Sequence, residues 1–377
     1  MSASAPPLRD RVVVGLSGGV DSAVAALRLL REGWDVHGLF MSNWDEDDAY
    51  CTAAEDFQDA RRSCDRLGIP LHRVSFAAEY RQRVFADFLA EQQAGRTPNP
   101  DVACNREIKF GLCLAHARRL GSCGFATGHY ARRVDAPEGV ELHKARDVAK
   151  DQSYFLYAIE REALAASRFP LGELTKPEVR ALARAAGLTV HDKPDSTGIC
   201  FIGERPFREF LAGWLRPEPG PIETPEGQRL GEHRGVAFYT LGQRAGLEIG
   251  GRAGSDGQPW YVAAKDPHRN ALIVVQGHDH PLLLSSGIVT EVARWLVDPP
   301  AAEFACHVKL RYRQADQAAL VVRLGDGRLR VQFERPQRAV TPGQSCVLYH
   351  GDRCLGGAVI ERILATAAAA DASHAAA

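Results

Sequence analysis

Arg11-Val12-Val13-Val14-Gly15-Leu16-Ser17-Gly18-Gly19-Val20-Asp21-Ser22 decides the fold. The β-branched run ending at Gly15 reads as a buried parallel strand, and the stretch from Asp21 to Leu30 reads as a helix with Val24, Leu27 and Leu30 on one side. Between them, two glycines let the backbone approach an anion, while the helix that follows aims its N–H groups and dipole at the same place. The loop fits neither GxxxxGK(S/T) nor GxGxxG, because no Lys follows the glycines and their spacing differs. The plainer alternative is a glycine turn capped by Asp21 or Ser22. A strand before the glycines and a helix after them favour a pyrophosphate cradle.

Working outward, residues 35–41 read as a second strand, 52–67 as a helix, 70–75 as a third strand, 108–120 as a helix and 124–127 as a fourth strand. This alternation predicts an α/β fold, a doubly wound parallel sheet covering residues 1–204. After Asp195 the texture changes. Turn pairs such as Pro219-Gly220 and Asp256-Gly257 cut the chain into short strands, which predicts a small mainly-β central domain over 205–284. Residues 285–363 read as a C-terminal β-barrel, with Asp326-Gly327 as one of its hairpin turns. Residues 364–377 are Ala-rich, have no amphipathic face, and are expected to be a disordered tail.

The charge balance is 46 Lys+Arg against 47 Asp+Glu, so the whole chain carries no basic footprint for nucleic acid and any RNA contact has to be local. Such an excess exists between His307 and Arg338, where eight Lys/Arg face three Asp/Glu, although taken alone such a run on a β-domain is more often a solvated face. The N-terminus lacks a leader pattern and no window reaches a membrane-spanning apolar length, which predicts a cytoplasmic protein. Nine cysteines, an odd number without CxxC pairs, argue against a disulfide scaffold or structural zinc. The string Asp45-Glu46-Asp47-Asp48 lacks EF-hand spacing and reads as a solvated loop.

Two cysteines have informative surroundings. Cys104 follows Thr97-Pro98-Asn99-Pro100-Asp101, a stiff loop that puts a carboxylate near the thiol. Asp101 alone would raise the thiol's pKa and make it inert, whereas Lys109 or a helix N-terminus would act the other way. Cys200 lies in Asp195-Ser196-Thr197-Gly198-Ile199-Cys200, which suits either a loop that delivers a thiol or a buried strand.

Together these strings resemble the bacterial-type tRNA-specific 2-thiouridylase family, within the PP-loop ATP pyrophosphatases. The resemblance runs nearly full length, through Gly15–Ser22, Thr97–Asp101, Cys104-Asn105, Thr127-Gly128-His129-Tyr130, Lys150-Asp151-Gln152-Ser153-Tyr154-Phe155, Asp195–Arg205, Arg311-Tyr312-Arg313 and Thr341–Gln344. It implies that Gly15, Leu16, Ser17, Gly18, Gly19, Val20, Asp21, Ser22, Met41 and Gly128 contact ATP, with Mg2+ accompanying the phosphates. It implies that Asn99, Pro100 and Asp101 meet the target base, with Asp101 as an acid/base group. Cys200 would carry a persulfide and Cys104 would be the second thiol, attacking the persulfide or closing a disulfide with it. Contacts to tRNA are implied for His129, Lys150, Asp151, Gln152, Arg311, Tyr312 and Gln344. Taken alone, a histidine such as His129 is more often a core or capping residue than an RNA contact.

The activity implied is ATP-dependent 2-thiolation of the wobble uridine, position 34, of tRNAs for Lys, Glu and Gln. A cysteine desulfurase or sulfur-relay protein would load Cys200, and a monomer is expected. Adenylation makes the C2 oxygen a leaving group, and a persulfide sulfur is a competent nucleophile for C2. The base has to leave its stack to meet both reagents. Two departures from the family pattern are Ala23, where a hydroxyl residue is common, and the Ala-rich tail. Rival readings are a PP-loop ligase acting on a small carboxylate, which has no need of two thiols, and an idle tRNA-binding module, which has no need of any.

Overall fold

The computed structural model describes residues 9–44, 53–195, 207–250 and 257–368. Arg9–Gly15 (β1), Trp34–Ser42 (β2), Leu71–Ser75 (β3), Phe125–Ala126 (β4) and Ser167–Arg168 (β7) form a fully parallel sheet in the order β3-β2-β1-β4-β7. Val12, Val13 and Val14 are wholly buried, as an apolar run without alternation requires of a strand covered on both faces. The helices Val20–Arg31 (α1) and Ala53–Leu67 (α2) belong to the crossovers β1-α1-β2 and β2-α2-β3. Strand order reverses between β1 and β4, and a crevice opens outside the carboxyl ends of strands at such a point.

The expected helix over 108–120 is longer at its start. It begins at Pro100, whose fixed φ suits the first helical position, and runs to Arg119, with Cys104–Cys113 wound as a π-helix. β7 has no counterpart in the sequence reading, because two residues cannot display a period.

Beyond the parallel sheet, Gly220–Glu223 (β8), Arg229–His233 (β9), Trp260–Asp266 (β10) and Ala271–Gln276 (β11) form the central four-stranded sheet, ordered β10-β11-β8-β9. Leu284–Val292 (β12), Glu303–Lys309 (β14), Gln317–Arg323 (β15), Arg328–Arg338 (β16), Ser345–His350 (β17) and Arg353–Ala365 (β18) close a six-stranded barrel, because β12 pairs with both β16 and β18. A two-residue strand, Arg294–Trp295 (β13), also pairs with β18. Gly327 takes φ +84° in the expected turn between β15 and β16. The barrel ends two residues later than the sequence boundary at 363, since Ser285 and Gly287 supply backbone partners for Ala365 and Leu364. Residues 369–377 of the expected tail lie outside the described residues.

One connection was not foreseen. Ala131–Ala136 (β5) and Gly139–Lys144 (β6) form a hairpin that leaves the first domain and extends the barrel sheet, with Leu142 opposite Cys354 and His143 opposite Arg353. No described helix is long and apolar enough to cross a membrane.

Candidate active site

The loop after β1 is built for close approach. Gly18 has φ +77°, and a Cβ there would lie 2.3 Å from the backbone oxygen of Asp56. A Cβ on Gly128, just past β4, would lie 2.7 Å from the amide nitrogen of Ser22. The two sides of the switch point therefore meet at the first turn of α1, and only glycine permits the contact. Gly19 precedes that helix in an extended conformation and no side chain caps it. Ser22 is turned inward instead, accepting from the Ser17 amide at 3.2 Å and donating to the Gly19 carbonyl at 3.1 Å. The capped-turn alternative thus does not describe this loop, and its first-turn N–H groups keep the orientation that binds an anion. Ala23 is buried within α1.

The thiol-bearing helix lies at the same edge of the sheet. Asn99 is its N-cap residue and Pro100 its first residue, with Asp101 half-buried and Cys104 fully buried where the π-helical stretch begins. Asn43, just past β2, brings its Nδ2 to 3.9 Å from Cys104 Sγ, and Met41 Sδ lies 3.3 Å from Cys113 Sγ. Burial pushes the Cys113 thiol up to about 12, with Lys109 pulling the other way, so Cys113 is a packing residue. Cys200 lies outside the described residues.

The residues expected to meet RNA divide into two groups. Asp151 is buried: its carboxylate accepts from the Ala145 and Ser153 amides and the Ser153 hydroxyl, and faces Lys309 Nζ at 3.6 Å. Lys144 pairs with Asp316 beside it, and both lysines lie over the Tyr349 ring. In this arrangement Asp151 joins the first domain to the barrel and offers no free edge to an RNA. Gln344 donates to the Thr97 carbonyl at 2.8 Å, the Thr97 amide donates to Pro342 at 2.9 Å, and a Cβ on Gly343 would touch Thr97 at 2.9 Å. The barrel turn 341–344 is thereby latched to the loop carrying Asn99–Asp101. Gln152 accepts from the Tyr130 amide, and Arg311 donates to the Ala339 carbonyl at 2.6 Å.

His129 sits between the rings of Phe110 and Phe169, and its Nδ1 is 2.8 Å from Thr127 Oγ1. Burial, and then Lys109, hold its imidazole well below the ordinary histidine value, so it is neutral at physiological pH. Tyr312 packs against Phe155, with ring centres 4.5 Å apart and the planes tilted by 45°, and keeps part of its surface open. Of the basic segment, Lys309, Arg311, Arg323, Arg328 and Arg338 bond to protein groups and Arg313 lies over the Tyr312 ring, while Arg311, Arg313, Arg323, Arg330 and Arg335 are exposed.

Lys150 Nζ reaches Asp195 at 2.5 Å, joining two of the quoted strings. Lys176 and Lys193, to neither of which the sequence reading gave a role, touch the loop itself. Lys176 Nζ is 2.8 Å from both Asp21 carboxylate oxygens, and Lys193 Nζ is 3.2 Å from the Gly18 carbonyl. The Thr175–Glu178 capping box signals a helix start, but nothing in the sequence shows where the lysine after it points.

Comparison with known proteins covers the whole architecture. Residues 10–204 match the family described as a tRNA methyl transferase HUP domain, 208–276 a tRNA methyl transferase PRC-barrel domain, and 285–360 an aminomethyltransferase beta-barrel domain. The chain is 57% identical to the tRNA-specific 2-thiouridylase MnmA of Chromohalobacter salexigens, over 93% of this chain and 92% of that one. Against the protein of the same name from Methylococcus capsulatus it is 54% identical, over 97% and 100%. Among solved structures, the U34-tRNA thiolase NcsA from Methanococcus maripaludis aligns with 51% of this chain and 61% of its own at 18% identity, with a TM-score of 0.33, too distant to carry an argument.

Proposed function

The chain belongs to the tRNA-specific 2-thiouridylase family, and from that premise we propose that it adenylates the C2 oxygen of a tRNA uridine and exchanges it for sulfur carried on Cys200. The observation that carries the reading is the uncapped glycine cradle at the switch point, at the same sheet edge as the buried Cys104 helix. Gly15 to Ser22 and Gly128 would hold the ATP phosphates, with Met41 nearby. Magnesium would enter with those phosphates. No group of three candidate ligands occurs among the described residues, so no protein ligand is assigned to it.

In the first step the C2 oxygen attacks the α-phosphorus and pyrophosphate departs. The terminal persulfide sulfur of Cys200 then attacks C2, and AMP leaves with the original oxygen. Attack of the Cys104 thiolate on Cys200 Sγ breaks the S–S bond, frees 2-thiouridine and leaves a Cys104–Cys200 disulfide, which an external thiol reduces. A second balanced route has Cys104 release the terminal sulfur as sulfide before it reaches C2. Both routes bring the Cys104 and Cys200 sulfurs into contact, at a thiol that is fully buried where the π-helical stretch begins. Asn99, Pro100 and Asp101 would meet the flipped base, Asp101 as an acid/base group, and Tyr312 with His129, Lys150, Arg311 and the exposed Arg313 would contact RNA. The wobble uridine of tRNAs for Lys, Glu and Gln is the proposed target, with a cysteine desulfurase or relay protein as donor, in a cytoplasmic monomer.

The test is a thiolation assay on unmodified tRNA with ATP and a sulfur donor, reading pyrophosphate and mercury-gel retardation together. Wild type should retard the tRNA, while Cys104→Ser and Cys200→Ser should not. Thiolation by Cys200→Ser at the wild-type rate overturns the carrier assignment, and pyrophosphate release without RNA turns the reading to a ligase.

A further inference from the structure

Lys176 occupies a position that helix electrostatics disfavour. It is the first residue of the helix Lys176–Ala185, where the dipole is positive and a cation is repelled. Its side chain is only 10% exposed, so the ammonium also loses most of its hydration. What offsets both costs is a pair of carboxylates. Nζ lies 2.8 Å from Asp21 Oδ1 and Oδ2 and 2.7 Å from Asp195 Oδ1. The Tyr130 hydroxyl donates to Asp21 from another side at 2.8 Å, and Lys150 and Arg180 hold Asp195 at 2.5 and 3.1 Å. The helix is itself fixed by its capping box and by Asp147, which accepts from the Lys176 amide at 2.9 Å.

The two carboxylates belong to different parts of the proposed reaction. Asp21 is in the first turn of α1, where a bare negative charge would repel a polyphosphate, and Lys176 neutralises it. Asp195 opens the stretch that leads to Cys200. Burial alone would raise the Asp195 pKa, but hydrogen bonds from Lys150 and Lys176 more than reverse that and keep it ionised. Two residues earlier, Lys193 bonds the Gly18 carbonyl and pairs with Asp56 and Asp59 at 2.7 and 2.6 Å. The approach to Cys200 is therefore tied to the nucleotide loop at two points, and Lys176 alone touches a carboxylate from each side among the described residues.

We propose that Lys176 is a positioning residue that couples nucleotide activation to sulfur delivery by holding the Asp195 end of the Cys200 segment against the phosphate loop. This rests on the reading of Cys200 as the sulfur carrier. With the tie cut, adenylation would proceed while the thiol segment is out of place. Water would then attack C2 of the adenylated uridine, returning uridine and AMP, and pyrophosphate would be made without thiouridine.

The experiment measures pyrophosphate released per thiouridine formed, and the KM for ATP, in the full-length enzyme. Lys176→Met should raise the ratio about ten-fold and the KM by a similar factor, since Asp21 is left unneutralised. Asp195→Asn should raise the ratio by about three-fold or more with an unchanged KM, because it cuts the arm toward Cys200 alone. Lys176→Arg should recover most of the coupling, and Arg184→Ala, which breaks an exposed pair with Asp192 on the same helix, should behave as wild type. A ratio that stays at the wild-type value in Lys176→Met, with both products falling together, overturns the proposal. If Lys176→Met does not fold, as judged by thermal melting, the ratio in Asp195→Asn decides. Failure of wild type to thiolate, or thiolation by Cys200→Ser, sinks the underlying reading. Normal behaviour of those two proteins with an unmoved ratio sinks the coupling alone.

Discussion

The nucleotide loop and the seam between the first domain and the barrel are both polar, but they are made of different material. The loop is backbone: two glycines, an uncapped helix start and a third glycine crossing from β4. The seam is side chain: Asp151, Lys309, Lys144, Asp316, Ser153 and Tyr349, gathered from distant parts of the sequence into a buried charged network. A site made of backbone tolerates no added atom, whereas one made of side chains depends on each partner staying present. Polar residues within a functional motif can thus serve the assembly rather than the substrate.

The largest effect that would break this comparison is at Asp151. Asp151→Ala leaves Lys309 buried beside uncapped amides and should cost about 3–5 kcal/mol of stability by denaturant unfolding, while the refolded fraction keeps its affinity for tRNA. Weakened RNA binding with unchanged stability would move Asp151 back to the RNA surface. Next comes Gly18→Ala, whose Cβ meets the Asp56 carbonyl in a left-handed turn. A loop displaced by about 1 Å should lose on the order of a hundred-fold in pyrophosphate release, with little change in melting temperature.

Smaller still, Gln344→Ala removes the bond to the Thr97 carbonyl and the longer one to the Pro98 carbonyl, and should cost about 1 kcal/mol. If Gln344 braces the Asn99–Asp101 loop and does not itself bind RNA, KM for tRNA rises and the salt dependence of binding stays at its wild-type slope. The smallest effect is expected at the exposed rim of the seam, where Arg161 pairs with Asp298. Arg161→Ala should change stability by less than about 0.5 kcal/mol, and a larger loss would show that the seam is held from its edge as well as its centre.

The same division explains what could be read from the sequence. The cradle was legible because strand, glycines and helix are contiguous and each has a local signature. The helix bearing Cys104 was expected only from residue 108, with Cys104 on the loop before it, and neither its start at Pro100 nor its π-helical winding is announced by any periodicity. Ser167–Arg168 and the β5–β6 hairpin escaped because a strand's membership in a sheet is set by its partner, here residues far along the chain. Lys176 and Asp151 show the same limit for side chains: their residue types invite a role in binding, and only the fold shows which carboxylate or ammonium lies opposite. The family resemblance supplied the roles of the thiols and the RNA-facing set together, without separating residues that face outward from those that brace the interior.

The β6–β18 pairing also has a consequence for biogenesis. Leu142 and His143 wait for Cys354 and Arg353, about two hundred residues later in the chain. At the roughly 5–20 residues per second at which ribosomes work, the hairpin edge stays open for on the order of ten to forty seconds. During that interval the finished first domain presents unpaired backbone to any neighbouring nascent chain, as an exposed edge strand does. A stalled or truncated product would keep that edge permanently, and such fragments are where aggregation of this enzyme should begin.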